Sequence, residues 1–70
     1  MEMIPVESSN VAAIGYDPVT ATLRVQFIKG RTYEYYSVPE HLYQGLIDAG
    51  SKGQFLDIYI KKAGYSYSPV

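Results

Sequence analysis

The chain has no cysteine. Disulfides, thiolate metal sites and thiol chemistry are excluded, so nothing covalent staples the fold. It has one histidine, His41, with no second histidine and no cysteine to complete the three or four ligands of a metal site. General acid–base work by His41 would need a positioned partner and a pocket, and no motif supplies one. The sequence also lacks a P-loop, a GxGxxG turn and a Ser-His-Asp set. No apolar run is long enough to span a membrane. The segment Met1–Asn10 lacks the basic stretch and apolar run of a signal peptide. These absences predict a non-catalytic cytoplasmic protein with no cofactor and no metal.

An excess of positive charge is missing too. The net charge is −1, whereas sequence-independent duplex binding needs a basic surface. Duplex DNA is therefore not expected as a partner. The charge is uneven, however. Residues 1–50 carry Arg24, Lys29 and Arg31 against six carboxylates and net −3. Residues 51–70 carry Lys52, Lys61 and Lys62 against Asp57 and net +2. A local basic spot near the C-terminal helix is one reading of this; a solvated helix face is the other.

Seventy residues predict one domain, 1–70. A domain this small buries only about 60% of its unfolded surface, so its core is marginal. Aromatic packing or self-association must supplement it. Eight tyrosines are present, and tyrosine joins an apolar body to a polar tip that suits interfaces.

Residues 1–10 read as a lead-in ending in the polar loop Ser8-Ser9-Asn10. Residues 11–17 read as a strand, and Asp17-Pro18 as a turn. Residues 21–28 alternate, with Leu23, Val25 and Phe27 on one face and Thr22, Arg24 and Gln26 on the other. Lys29-Gly30-Arg31 is a hairpin turn. Residues 32–37 form a third strand, whose period aligns Tyr33 and Tyr35 with Leu23, Val25 and Phe27. Ser37 with Glu40 reads as a capping box opening a helix that runs to about Ala49. Leu42, Tyr43, Leu46 and Ile47 form its apolar stripe. Gly45 within it is costly unless close packing uses the missing side chain. Gly50 reads as its stop. Ser51 with Gln54 opens a second helix over 52–62, with Phe55, Leu56, Tyr59 and Ile60 as its stripe. Lys61 and Lys62 oppose the negative end of the helix dipole, and Gly64 ends the helix. Tyr65-Ser66-Tyr67 is a tail that packs back. The sum is an α+β domain, β-β-β-α-α: a three-stranded antiparallel sheet covered on one face by two short helices.

Several segments together resemble the KTSC domain family. They are Ser8-Ser9-Asn10-Val11, Ile14-Gly15-Tyr16-Asp17, Leu23-x-Val25-x-Phe27, Gly30-x-x-Tyr33-x-Tyr35, Val38-Pro39, Tyr43-x-x-Leu46, Ser51-x-Gly53 and Phe55–Ile60. The resemblance covers roughly residues 6–65, and the Tyr33-x-Tyr35 pair carries the family signature. The family takes its name from the C-terminal domain of some lysyl-tRNA synthetases and also occurs as short free-standing proteins of bacteria and phages. One departure is visible: Asp57 stands where the family usually has asparagine after an aromatic pair. The resemblance implies no established activity. Its synthetase link implies an RNA context.

Three groups of residues are candidate ligand contacts. Tyr36, Arg24 and Gln26 share the outer face of the sheet with Thr22 and Glu34. The ring would stack, Arg24 and Arg31 would hold phosphate, and Gln26 would read donors and acceptors. An ordinary solvated face or a dimer surface accounts for the same pattern. Ser8, Ser9 and Asn10 would hold phosphate or ribose, or simply close a turn. Tyr33 and Tyr35 would stack on bases, or lie in the core beneath the helices. The functional expectation is a binding module for a small nucleotide or short RNA. As a free-standing phage-type oligomer it would be an anti-defence sponge, sequestering a nucleotide immune signal gripped between subunits. The alternative is a protein–protein adaptor or a tyrosine-mediated homo-oligomer.

Overall fold

A computed structural model describes residues 1–70. Its elements are β1 (Met3–Pro5), β2 (Val11–Asp17), β3 (Thr22–Phe27), β4 (Thr32–Tyr35), α1 (Glu40–Asp48), α2 (Lys52–Leu56) and β5 (Tyr67–Pro69). A π-helical turn, Asp57–Lys61, continues directly from α2. The strands pair antiparallel in sequence order, β1-β2-β3-β4-β5. The α+β class with two helices matches the expectation, but the sheet has five strands rather than three. Both extra strands are three residues long and end in proline, Pro5 and Pro69. Segments that short cannot display alternation, and proline argues against a central strand while being tolerated at a sheet edge. Both lie at edges.

The register explains the core. Leu23 faces Tyr35 and Val25 faces Tyr33 across the β3–β4 ladder, so the two tyrosines do share the face of the β3 aliphatics. On β2, a bulge between Val11 and Ala13 shifts the register. The extra residue lets both Val11 and Ile14 reach the covered face. They join Leu23, Val25, Tyr35, Val38, Leu46, Leu56 and Ile60 in one buried cluster. Gly45 has the packing reason its helical position demands, because the Phe55 ring of α2 lies where a Cβ would project.

The strand-to-helix corner corrects the predicted capping box. Pro39, not Ser37, is the N-cap of α1. The proline ring disfavours helical dihedrals at the residue before it, so Val38 cannot be a first helical residue and Ser37 cannot cap. Ser37 instead makes the bend, with φ +58°. Val38 locks the corner: its N–H donates to Ala21 O at 2.9 Å and its carbonyl accepts from the Tyr16 hydroxyl at 2.5 Å. Tyr16 also stacks on Tyr43 of α1, with ring centroids 5.0 Å apart. Ser51 does cap α2, accepting from Gln54 N–H at 3.4 Å. The predicted single helix over 52–62 is instead a short α-helix with a π-helical continuation, closed by Lys62 N–H donating to Asp57 O. No glycine or proline within 57–61 announces the wider turn. The helix before Gly50 ends at Ala49, whose N–H donates to Leu46 O. No helix is long and apolar enough to cross a membrane.

Candidate functional site

Helix α1 packs against β2, and inner-face side chains of β4 and β5 line a cleft to one side. The β4–β5 ladder sets Tyr67 opposite Tyr35. Phe27 closes the far side, where β3 ends. The result is a cleft of about 320 Å³ lined by Phe27, Tyr33, Tyr35, Tyr67 and Lys61. Ligand pockets begin at about 300 Å³, so this one suits a small molecule.

The rings form a continuous set. Phe27 meets Tyr33 edge-on at 6.2 Å between centroids, and Tyr33 meets Tyr67 at 5.9 Å. Tyr67 lies 5.7 Å from Tyr35 at a tilt of 37°. Such spacings are those of aromatic pairs that attract one another. Tyr35 is the buried floor and Tyr67 the exposed wall, at 63% exposure. Burial, helped by the neighbouring Tyr67 and Tyr33, pushes the Tyr35 phenol above the ordinary value of 10.0. It is therefore a neutral hydrogen-bond donor at physiological pH. The π-helical turn delivers the one cation: Lys61 Nζ lies 5.1 Å from the centroid of the Phe27 ring. That distance is within cation–π range.

The other basic residues of the C-terminal segment are engaged elsewhere, so no broad basic spot forms. Lys52 Nζ donates to Ala49 O at 2.9 Å and satisfies the C-terminus of α1. Lys62 pairs with Asp57 at 3.4 Å on the exposed surface. Asp57, the residue that departs from the family pattern, thus has a local partner.

The predicted contact residues fall into separate places. Tyr33 and Tyr35 line the cleft, and Tyr35 also belongs to the buried core. Ser9 and Asn10 line a second hollow of about 260 Å³ with Phe27, Ile28, Lys29 and Gly30. Ser8 turns inward on its own loop, accepting from the N–H groups of Asn10 and Val11 and donating to Asn10 Oδ1. Arg31 is exposed in the β3–β4 turn. Arg24, Gln26 and Tyr36 lie on the opposite face of the sheet and do not join the cleft. There Arg24 is held by Glu34 through Nε at 3.0 Å and Nη2 at 2.5 Å. The Tyr36 hydroxyl donates to the second oxygen of the same carboxylate at 3.4 Å. The Arg24 guanidinium is thereby committed within the protein.

Two cleft residues escaped sequence reasoning as ligand contacts, Phe27 and Tyr67, while Lys61 is open to reading with Lys52 and Lys62 as a phosphate contact or as part of a solvated helix face. Tyr65-x-Tyr67 repeats the spacing of Tyr33-x-Tyr35 and was the available signal for β5. Lys61 reads as a helix-dipole residue until the π-turn is seen.

Comparison with known proteins follows the same outline. The KTSC domain model matches residues 7–65. A KTSC domain protein from Yersinia pestis, known from its crystal structure, superposes with a TM-score of 0.93 at 39% identity, covering 99% of this chain and 96% of that one. A protein from Tsukamurella paurometabola is 44% identical over 59 residues, 84% of this chain and 88% of the relative. A lysine–tRNA ligase from a Nostoc species is 42% identical over 55 residues, 79% of this chain but 10% of the ligase.

Proposed function

The chain belongs to the KTSC domain family, and from that premise we propose that it is a non-catalytic binding module for a small ligand of the nucleotide class. One observation carries this reading: four aromatic rings and a single ammonium converge on a cleft of small-molecule size. A base would stack on an exposed ring of the cleft such as Tyr67, which contributes about 1–3 kcal/mol. Lys61 exchanges its ring contact for a phosphate oxygen, and the hydroxyls of Tyr33 and Tyr35 donate to polar edges. One cation in a chain of net charge −1 favours a small nucleotide over long RNA. The similar segment within a lysine–tRNA ligase supports an RNA-related ligand, and short RNA is the longer form of the same chemistry.

The module acts by holding its ligand. That behaviour is a sponge, and a nucleotide immune signal sequestered by a phage-type protein in the cytoplasm is its most specific form. The open side of the cleft at Tyr67 is where a second subunit would enclose the ligand. A second reading, a protein contact made by tyrosines, draws on exposed Ile58, Tyr59 and Tyr67.

Calorimetric titration with the four nucleoside monophosphates tests the proposal. Tyr67→Ala removes an exposed ring, so the fold should survive while affinity falls about 5- to 150-fold. Lys61→Met should weaken phosphate-bearing ligands and spare the unphosphorylated nucleosides. Binding that is indifferent to both variants, or no binding at all, would overturn the proposal.

A further inference from the structure

The segment Asp57-Ile58-Tyr59-Ile60-Lys61-Lys62 offers its one carboxylate two lysines, four and five residues on. In an α-helix the surface neighbour is the fourth residue. The fifth lies about 140° round the axis, facing away. An α-helical end would therefore pair Asp57 with Lys61. The structure pairs it otherwise. The turn over Asp57–Lys61 is π-helical, and Lys62 N–H donates to Asp57 O, five residues back, at 3.0 Å. The wider turn brings Lys62 beside Asp57, and their charged groups meet at 3.4 Å. Lys61 belongs to neither ion pair of the molecule, Arg24–Glu34 or Lys62–Asp57. Its ammonium lies 5.1 Å from the Phe27 ring centroid, in the wall of the aromatic cleft.

We propose that Lys62 is a positioning residue for the cleft: by occupying the Asp57 carboxylate, it leaves the Lys61 ammonium to the rings and to the ligand. The consequence for phosphate affinity rests on the nucleotide-class reading above, whereas the placing of Lys61 stands without it. The competition for Lys61 is close. The Asp57–Lys62 pair is exposed, at 52% and 72%, so water and salt screen it and it holds only modestly. The contact of Lys61 with Phe27 is of similar modest strength at a surface. Two weak contacts of comparable size exchange readily, so an unpaired Asp57 is enough to divert Lys61 from the cleft. Wide turns inside helices are frequent at functional sites. Here the widening has an assignable effect: it decides which of two adjacent lysines is neutralised and which is left free.

Proton NMR of the Lys61 ε-methylene reads the position directly, because protons held over the face of a ring resonate upfield. Lys62→Met should move this resonance toward its random-coil place. In the same variant, calorimetric affinity for the nucleoside monophosphates should fall about two- to fivefold, the range set by a surface ion pair. Unphosphorylated nucleosides should be unaffected. Removing the competing carboxylate as well, in Asp57→Asn combined with Lys62→Met, should restore both the resonance and the affinity. Asp57→Asn alone should leave the resonance in place and the affinity no lower than native. These substitutions change exposed side chains, and the amide spectrum of each variant confirms that it is folded. A Lys61 resonance that stays put in Lys62→Met would overturn the proposal, even with a fall in affinity, since loss of net charge alone accounts for that. A resonance displaced by Asp57→Asn alone would overturn it too, because the pair would then hold the turn rather than free Lys61. Resonances that move as expected in a protein that binds no nucleotide would uphold the role of Lys62 and remove the nucleotide reading.

Discussion

Gly45→Ala separates two forces that ordinarily agree. Position 45 lies inside α1, where helix propensity alone favours alanine by about 1 kcal/mol. The structure opposes that gain. An alanine Cβ would sit 2.7 Å from Phe55 Cζ and 3.1 Å from Cε2, well inside the roughly 3.5–4.0 Å of ordinary carbon contact. The ring is not free to swing, because Tyr59 lies against it with centroids 4.6 Å apart. Overpacking of this kind costs about 1–3 kcal/mol. Taking the middle of that range, the net effect is a loss of about 1 kcal/mol, or about 4–8 °C in Tm for a domain of this size. Urea unfolding followed by circular dichroism reads it as a lower midpoint at unchanged slope. Phe55→Leu should relieve the clash, so alanine should cost less on that background than on the native one. A Gly45→Ala protein more stable than the original would refute the claim that Phe55 occupies the space glycine leaves.

Two further predictions concern the tyrosines of the inner face. Tyr16→Phe keeps the stack on Tyr43 but strands the buried Val38 carbonyl, and chemical denaturation should show a loss of about 1–3 kcal/mol. Alkaline pH should destabilise the fold through Tyr16 and Tyr35. Burial raises both phenols above the usual 10.0, reinforced at Tyr16 by Glu40 and Asp17 and at Tyr35 by Tyr67 and Tyr33. The folded state thus holds these protons more tightly than the unfolded one. Their contribution is complete below pH 10 and is lost as pH rises through the folded values. Urea midpoints measured upward from about pH 9 should fall more steeply for the native protein than for Tyr35→Phe, which removes one of the two groups.

The parts of the fold that were legible in the sequence are those with enough residues to show a period. Leu23, Val25 and Phe27 give the direction of β3 and, by pairing, place Tyr33 and Tyr35 on the same face. Ser51 with Gln54 gives the start of α2. The illegible parts have physical reasons. β1 and β5 are three-residue edge strands ending in proline. Ser37 looked like a cap, and only the pre-proline constraint on Val38 removes it. The site was half legible. Tyr33, Tyr35, Ser9 and Asn10 stand out by composition and family resemblance. Tyr67 does not, because it depends on a strand added after two helices, and only the π-helical turn sets Lys61 apart from Lys52 and Lys62. Arg24 looked like a phosphate ligand, yet the residue opposite it in the ladder is Glu34, and cross-strand opposite charges pair.

Native mass spectrometry of the protein taken directly from cells, followed by denaturation and analysis of what is released, tests the central claim most directly. The account predicts a small phosphate-bearing molecule with an aromatic base, released from the native protein and missing from Tyr67→Ala and Lys61→Met. A base-bearing ligand retained equally by both variants would contradict the aromatic cleft as its site. A protein that carries nothing and takes up no nucleotide when titrated would contradict the binding function itself.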